Sequence, residues 1–486
     1  VLENNLYAQS TANSQTLAGD ICARAAAFGI QTAQADTWDL DTLLPTAAQC
    51  VEAVRTQGKP VFLRVDTFRL MAHSKGDDDR DPEEVRAYWS KDPLTLFSLE
   101  EPQKAEQIQA RVRERVDAAV VRAEASPYAA PGDLAEATPA PAVPPVWEPA
   151  RIETPERAVA SIYNALERNM RRDERIVLIG EDIEGPYGGA FKVTRNLSQL
   201  FPGRVRNTPI SEAAIIGLGN GLALSGLLPV CEIMFGDFLT LAADQLINHA
   251  SKFRYMYNDQ VRLPLVVRTP MGGKRGYGAT HSQSLEKHFM GLPGTMMLAI
   301  HSRFDPGLLY EALFQSIDRP TIVIENKLLY GLRVSDRVAE GFVLEQTRER
   351  FPTTRLRPET RPDLTILCYG GMLPDVERAV DLLFEEHEIA CEVICPTQLY
   401  PFNPWPVIES VGQSGRLLVV EEGLSFAAFG AEAVAQVLER SPEALRQVRR
   451  LASPNHPIPS CGPLEKALLP GADHVVASVR EMVGDA

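Results

Sequence analysis

The feature of this sequence that most restricts its fold is an alternation, after residue 150, of short apolar runs with longer segments of helical periodicity. Such alternation predicts βαβ units, and therefore an α/β protein whose parallel sheets are covered by helices on both faces. Helical periodicity is clearest at 213–224 and 239–255. The predicted strands are 176–179, 229–234, 265–268, 296–300 and 321–324, followed by a second series at 364–369, 391–395, 417–421 and 448–451.

Changes in composition divide the 486 residues into four parts. Residues 1–85 form an α/β segment, with a helix predicted near 20–28 and a strand at 61–65. Residues 86–150 continue a charged helical region, which starts near Asp81, and end in a Pro- and Ala-rich linker. Two further α/β domains are predicted at 151–345 and 346–486. In both we expect the functional groups to follow the carboxyl ends of strands.

The formal charge of −15 argues against nucleic acid and anionic membranes as partners, because an acidic surface repels polyanions. A small anionic substrate remains compatible, since a few basic residues can form a positive pocket on an acidic body. The seven cysteines include no Cys-x-x-Cys pair, which indicates reduced thiols and a cytoplasmic location. No apolar run reaches transmembrane length.

Glu212 begins a strongly apolar predicted helix, directly after Ser211. Two interpretations stay open on the residues alone. In the first, Ser211 caps the helix and Glu212 interacts favourably with the positive end of the helix dipole. In the second, Glu212 is a partly buried carboxyl group that acts as a proton donor.

His281 lies in a polar loop that follows a predicted strand and the Gly-rich, basic segment 272–276. Loops at strand ends carry the catalytic groups of α/β proteins, so this histidine is a candidate. The glycines are equally compatible with ordinary loop structure.

A second polar loop contains Arg69, His73 and Lys75, which together could bind a phosphate or a carboxylate. A solvated loop is the alternative. Asn4 and Asn5 follow an apolar pair, where an amide oxygen could bind a hard cation such as Mg²⁺ or could simply form a turn.

Residues 151–486 resemble the complete β subunit of the thiamine-diphosphate-dependent 2-oxo acid dehydrogenases of the pyruvate and branched-chain type. The resemblance rests on motifs that occur in the family's order and spacing. They are Gly180-Glu181-Asp182, Gly188-Gly189-Ala190-Phe191-Lys192-Val193-Thr194, Thr208-Pro209-Ile210-Ser211-Glu212, Thr280-His281-Ser282-Gln283, Pro293-Gly294, Glu325-Asn326-Lys327-Leu328-Leu329-Tyr330 and Glu421-Glu422-Gly423.

Residues 1–125 resemble the carboxyl-terminal part of the family's α subunit. The resemblance therefore implies an α-then-β fusion that pairs with itself as a homodimer. It also implies transketolase-like diphosphate-binding, pyrimidine-binding and C-terminal domains. The matching segments are Glu3-Asn4-Asn5-Leu6-Tyr7, Ala27-Phe28-Gly29-Ile30, Thr67-Phe68-Arg69, His73-Ser74, Asp77-Asp78 and Asp92-Pro93.

The resemblance implies oxidative decarboxylation of a 2-oxo acid, followed by transfer of the acyl group to the lipoyl group of a dihydrolipoyl acyltransferase. Glu212 would hydrogen-bond to N1′ of the cofactor's aminopyrimidine, and Phe238 would pack against that ring. His281 would handle protons during reductive acylation of the lipoyl group.

The same resemblance places His73 near the cofactor's diphosphate, and Asn5 and the Tyr7 carbonyl group among the ligands of Mg²⁺. The family's Gly-Asp-Gly motif, whose aspartate also binds Mg²⁺, does not precede Asn4. Because the sequence starts at Val1 and not at methionine, we expect that motif to lie further upstream.

Two other functions are compatible with the sequence. One is a transketolase-like or acyloin-type ketol transfer, which needs thiamine diphosphate but no lipoyl acceptor. The other is a cofactor-defective scaffold protein, suggested by the missing Gly-Asp-Gly. The Thr280-His281-Ser282-Gln283 motif and the α-like first segment favour the dehydrogenase.

Overall fold

The computed structural model describes residues 1–74, 76, 78–130, 142–150, 152 and 156–484. They form two compact units, one of residues 1–130 and the other of the described residues after 130. Within these ranges, no helix combines the length and the apolar composition needed to cross a membrane.

A three-stranded parallel sheet forms the centre of the first unit, with β1 (Leu2–Asn4), β2 (Gln31–Asp36) and β3 (Val61–Asp66) in the order β1-β3-β2. The predicted helix near 20–28 and the predicted strand at 61–65 are confirmed. Asp20 and Asp81 cap two of the helices by accepting hydrogen bonds from backbone N–H groups of the first turn. The helices are α1 (Asn13–Thr16), α2 (Ile21–Ala26), α3 (Leu40–Gln57), α4 (Pro82–Trp89), α5 (Pro93–Glu100) and α6 (Pro102–Ala125).

The second unit contains two seven-stranded sheets. The first sheet has six parallel strands and one short antiparallel edge strand, which comes from much later in the chain. In spatial order its strands are β15 (Gln398–Tyr400), β9 (Met296–Ala299), β10 (Thr321–Asn326), β8 (Val266–Met271), β7 (Leu228–Glu232), β5 (Ile176–Gly180) and β6 (Val205–Asn207). Its helices are α7 (Ala158–Arg172), α8 (Leu197–Leu200), α9 (Glu212–Leu224), α10 (Phe253–Met256) and α11 (Pro306–Gln315).

The second sheet is mixed, with four parallel strands followed by three antiparallel ones. In spatial order its strands are β17 (Gln447–Ser453), β16 (Arg416–Leu424), β13 (Leu364–Cys368), β14 (Cys391–Pro396), β12 (Thr353–Pro358), β11 (Phe342–Thr347) and β4 (Trp147–Pro149). Its helices are α12 (Leu373–His387), α13 (Trp405–Ser414), α14 (Phe429–Arg440), α15 (Gly462–Leu468) and α16 (Ala472–Val483).

Every strand predicted after residue 150 is present, with bounds that shift by a few residues, and the α/β fold class is confirmed. The antiparallel half of the second sheet was not predicted. Glu345 on strand β11 forms ion pairs with Arg355 and Arg357 on the neighbouring strand β12. These charges interrupt the apolar runs by which the other strands were recognised.

The single helix predicted at 239–255 is wrong. The segment consists of a 3-10 turn at Gly236–Ala242, a π-helical turn at Gln245–Ala250 and the short helix α10. The Asn220 side chain on α9 donates a hydrogen bond to the Gln245 carbonyl oxygen (3.0 Å), which fixes that carbonyl group at the start of the π-helical turn.

A buried cluster of charged and phenolic side chains crosses the middle of the first sheet. Arg268 on β8 is 1% exposed and donates hydrogen bonds to Glu232 on β7 and Glu325 on β10. The hydroxyl groups of Tyr310 and Tyr330 donate to the Glu325 carboxylate. Burial raises the pKa of Glu232, and the positive charge of Arg268 opposes that rise. One guanidinium group therefore joins three adjacent strands.

Replacing Arg268 with methionine is expected to lower the free energy of unfolding by about 3–5 kcal/mol, because two buried carboxyl groups lose their cation. The matched change Arg254→Met removes an exposed ion pair with Asp259 and should cost about 1 kcal/mol or less. Urea-induced unfolding of both variants and of the wild type measures the two losses. Equal losses would contradict the role assigned to Arg268.

Candidate active site

The candidate residues of the second unit follow the carboxyl ends of neighbouring strands in the first sheet. Glu181 follows β5, Glu212 follows β6, Phe238 follows β7 and His281 follows β8. In a parallel sheet these ends share one edge, where ligands bind. The helix α9, which begins at Glu212, packs against the turn that carries Phe238.

Glu212 is the first residue of α9 and is 7% exposed. Ser211 occupies the N-cap position, but its side chain makes no capping hydrogen bond. Glu181 is also buried, and its pKa is raised by burial and by the negative charges of Glu212 and Asp182. Among the described residues, no group donates a hydrogen bond to Oε1 of Glu181. These two neighbouring acids can therefore accept hydrogen bonds from a polar ligand.

His281 packs edge to face against two aromatic rings. Its ring centre lies 4.9 Å from that of Phe235 and 5.1 Å from that of Phe238. Nδ1 of His281 lies 3.0 Å from the hydroxyl oxygen of Thr280. The structure thus brings together two of the residues selected from the sequence, Phe238 and His281, and adds Phe235, whose ring contacts both.

Two buried carboxylates hold the Gly-rich loop that precedes His281. Glu422 accepts a hydrogen bond from the backbone N–H of Gly273 (2.5 Å). Glu465 accepts hydrogen bonds from the N–H groups of Lys274 (2.8 Å) and Gly276 (2.9 Å). Both acids come from the part of the chain that forms the second sheet. The loop glycines therefore present backbone donors to specific acceptors.

Gly272 has a φ of +97°, and a Cβ atom there would lie 2.3 Å from Nδ2 of Asn326. Only glycine fits this conformation and this contact. The Nδ2 group of Asn326 also donates to Glu422 (3.0 Å), so the start of the loop is fixed from two directions.

Two functional candidates, Lys327 and Asp237, were missed in the sequence. Lys327 is 1% exposed and donates a hydrogen bond to the His281 carbonyl oxygen, and burial lowers the pKa of Lys327 to about 8. Asp237 accepts a hydrogen bond from the Gln283 N–H group (3.2 Å), and burial raises its pKa. Both residues lie at strand ends, the same signal that identified His281.

In the first unit, Asn5 and Tyr7 belong to one tight turn. The Asn5 side-chain oxygen accepts a hydrogen bond from the Tyr7 N–H group (3.0 Å), and Leu6 between them has a φ of +70°. The Tyr7 hydroxyl group donates to Glu84 (2.6 Å). Asn4 is buried and donates to Asp66 (2.6 Å), which makes it a structural residue of the turn.

The loop that carries His73 is tied to the same turn. Arg69 donates hydrogen bonds to the carbonyl oxygens of Ala8 (3.0 Å) and Gln9 (2.5 Å). The buried Arg80 donates to the carbonyl oxygens of Arg69 and Met71. His73 itself is exposed, and Lys75 lies outside the described residues.

The two groups of candidate residues thus lie in different units, with Asn5, Tyr7 and His73 in the first and Glu212, Phe238 and His281 in the second. Within the described parts of the chain, no group of three or more His, Cys, Asp or Glu side chains could hold a metal ion.

Glu421 and Glu286 form a further pair of neighbouring buried acids. Glu421 is fully buried, and its Oε2 accepts a hydrogen bond from the Gly430 N–H group (3.2 Å). Burial raises the pKa of Glu421 to about 7, and the nearby charge of Glu286 adds to the rise. Glu286 accepts a hydrogen bond from the Tyr369 hydroxyl group (2.5 Å).

Comparison with protein families matches three successive parts of the chain. Residues 1–132 match the family described as "Dehydrogenase E1 component". Residues 158–333 match "Transketolase, pyrimidine binding domain", and residues 354–475 match "Transketolase, C-terminal domain". A solved structure described as a split gene transketolase, an inactive beta4 tetramer, has a TM-score of 0.51 at 22% identity and covers 67% of this chain and 98% of its own. These matches define the class, an α/β protein of transketolase-like architecture.

Curated relatives narrow this class. The pyruvate dehydrogenase E1 component subunit beta of Rickettsia bellii is 33% identical over 326 residues, which cover 66% of this chain and 97% of that protein. The 2-oxoisovalerate dehydrogenase subunit beta of Bacillus subtilis is 32% identical over 327 residues, 67% of this chain and 97% of that protein. The chain belongs to the family of thiamine-diphosphate-dependent 2-oxo acid dehydrogenase E1 components, with an α-like segment before a β-like one. This confirms the resemblance found in the sequence.

Replacing Glu421 with glutamine is expected to stabilise the protein at pH 8. The folded state binds a proton on Glu421 that the unfolded chain, with a pKa near 4.5, has already released, so stability falls as pH rises from 4.5 to about 7. Glutamine removes this dependence, and we expect a gain of about 2–3 kcal/mol at pH 8 and little change near pH 4.5.

Urea-induced unfolding at the two pH values measures this difference. The matched variant Glu439→Gln alters an exposed residue of α14 and should leave stability nearly unchanged at both. An equal effect of Glu421→Gln at pH 4.5 and pH 8 would show that burial does not hold the proton on this group.

Proposed function

We propose that this chain, with thiamine diphosphate and Mg²⁺, decarboxylates a 2-oxo acid and transfers the acyl group to the lipoyl group of a dihydrolipoyl acyltransferase. The observation that carries the proposal is the buried Glu212 carboxyl group beside the unpaired Oε1 of Glu181, at the strand ends of a pyrimidine-binding fold. The names of the relatives, pyruvate and 2-oxoisovalerate dehydrogenases, support a 2-oxo acid as substrate.

Glu212 would hold a proton at N1′ of the aminopyrimidine. No described residue donates a hydrogen bond to the buried Glu212 carboxyl group. Such a group is suited to that contact, because a hydrogen bond from the ligand replaces lost hydration. Phe238, on the turn against which α9 packs, would lie against the pyrimidine ring. Thiamine diphosphate, when bound, supplies the nucleophilic carbon and the electron sink needed for the loss of CO₂.

The diphosphate and Mg²⁺ would be bound by residues of the first unit. The Asn5 amide oxygen and the Tyr7 carbonyl oxygen are neutral oxygen ligands of the kind that Mg²⁺ accepts, and phosphate oxygens usually complete its coordination. His73 would lie beside the diphosphate, on a loop that Arg69 ties to the Asn5 turn.

His281 would act in the transfer step. Its contact with Thr280 engages Nδ1, and no described residue hydrogen-bonds to Nε2, which is therefore the nitrogen available to a reacting group. Reductive acylation opens the dithiolane disulfide of the lipoyl group, and one sulfur needs a proton, which His281 would supply.

Because the cofactor-binding residues are divided between the α-like and the β-like segments, we also propose that the chain works as a homodimer in the cytoplasm. Neither nucleic acid nor a membrane is part of the proposal, in keeping with the formal charge of −15.

Glu212→Gln should reduce decarboxylation of the 2-oxo acid by at least about 100-fold, the usual contribution of a positioned proton-transfer group. Dye-linked decarboxylation measures this step without a lipoyl acceptor. Glu174→Gln is the matched control, because Glu174 is exposed and lies at the opposite, amino-terminal end of β5. Undiminished activity of a folded Glu212→Gln variant would refute the role of Glu212.

His281→Ala should reduce transfer to a lipoyl domain by about 100-fold and reduce dye-linked decarboxylation less, since the histidine acts after CO₂ has left. Parallel assays with the two acceptors measure the difference. The exposed His288, in the same part of the chain, provides the control variant His288→Ala. Equal losses in both assays would contradict the assignment of His281 to the transfer step.

The substrate class is tested with the full-length natural polypeptide, thiamine diphosphate and Mg²⁺ on a panel of 2-oxo acids and ketose phosphates. Turnover of a 2-oxo acid supports the proposal and identifies the substrate. Activity with ketose phosphates alone would assign the chain to ketol transfer. No activity with any substrate would favour a scaffold protein.

A further inference from the structure

Lys327 is a buried cation that the proposed mechanism does not use. It follows Asn326, the last residue of β10, and its exposed fraction is 1%. Its ammonium group donates a hydrogen bond to the backbone carbonyl oxygen of His281. The Nζ atom also lies 5.1 Å from the ring centre of Phe235 and 5.5 Å from that of Tyr277.

Packing alone does not explain a lysine at this position. Removing an ammonium group from water is costly, and a methionine side chain would fill a similar volume without that cost. Burial opposes the charge of Lys327, and Arg275 opposes it further, whereas Asp237 and Glu422 favour it. The two acids that favour the charge, Asp237 and Glu422, both accept hydrogen bonds from backbone N–H groups of the loop that contains His281.

Lys327 and Asp237 hold the backbone on both sides of Ser282. Lys327 binds the carbonyl group before Ser282, and Asp237 binds the N–H group of Gln283 after it (3.2 Å). Phe235 lies under both the ammonium group of Lys327 and the imidazole of His281. Lys327 thus hydrogen-bonds to the backbone of His281, and the ring of Phe235 contacts the side chains of both residues.

We propose that Lys327 is a positioning residue for His281, fixing the backbone from which the imidazole reaches the acyl acceptor. The inference rests on the proposed function, because it assigns His281 to the transfer step. The Gly-rich start of the loop has its own anchors, Glu422 and Glu465, so removing Lys327 frees only the His281 end.

The test compares Lys327→Met, His281→Ala and the double variant in the full chain, assayed with a lipoyl domain and with a dye as acceptor. Lys327→Met should lower lipoyl transfer by about 10- to 100-fold, the range expected when a reacting group is displaced by about 1 Å, and lower dye-linked decarboxylation less. In the His281→Ala background, the same change should cause no further loss of transfer, because the group it positions is already absent.

The matched control is Lys287→Met, which removes another lysine-to-carbonyl hydrogen bond, to Phe426 (2.7 Å), away from the His281 backbone. It should leave the ratio of the two activities unchanged. If Lys327→Met unfolds below the assay temperature, Lys327→Leu takes its place in the same cycle, because leucine also lacks a donor for the His281 carbonyl oxygen.

The inference would be overturned if Lys327→Met transferred the acyl group to the lipoyl domain at the wild-type rate. It would also be overturned if the double variant lost transfer activity by the product of the two single losses. Either result with an active wild-type enzyme leaves the proposed function in place. Failure of the wild-type chain to turn over any 2-oxo acid would instead remove the proposed function itself.

Discussion

The hydrogen bonds from the Gly-rich loop to Glu422 and Glu465 are the contacts on which the candidate site of the second unit depends. The loop leaves β8 of the first sheet, whereas the two carboxylates belong to the part of the chain that builds the second sheet. Without Glu422, the buried N–H group of Gly273 would be left unsatisfied, and without Glu465 the N–H groups of Lys274 and Gly276 would lose their acceptor. The second sheet therefore does more than add stability, because it fixes the segment that ends at His281.

Burial shifts the pKa values of acids and of a lysine around this segment in opposite directions. It raises the pKa of Glu181, Asp237 and Glu421 and lowers the pKa of Lys327 to about 8. With pKa values of about 7 and about 8, Glu421 and Lys327 exchange protons near neutral pH, which ordinary exposed acids and lysines do not. In the sheet interior, by contrast, the charges of Glu325 and Glu232 raise the pKa of Arg268 against the effect of burial.

The sequence was sufficient for much of this description. Apolar runs identified the parallel strands. The rule that ligands bind at strand ends made His281 a candidate, and the position of Glu212 at the start of an apolar helix made that residue a candidate. Phe238 was a candidate only through the family resemblance, and its contact with His281 was not predicted. Lys327 follows a strand, as His281 does, but it was not chosen from the sequence because a lysine after a strand is normally solvated. Its contacts with Phe235 and Tyr277 come from distant loops, which the sequence does not show. The break in the predicted helix at 239–255 depends likewise on a side chain of another helix, Asn220.

The short strand β15 gives the second unit a further property. It lies in sequence between strands of the second sheet, yet it pairs with β9 and closes the edge of the first. The first sheet thus takes its edge strand from the chain between β14 and β16, and the second sheet takes its edge strand β4 from the chain before β5. A protein cut between residues 345 and 346 would expose β9 as a bare edge, with unpaired N–H and C=O groups open to association with other strands.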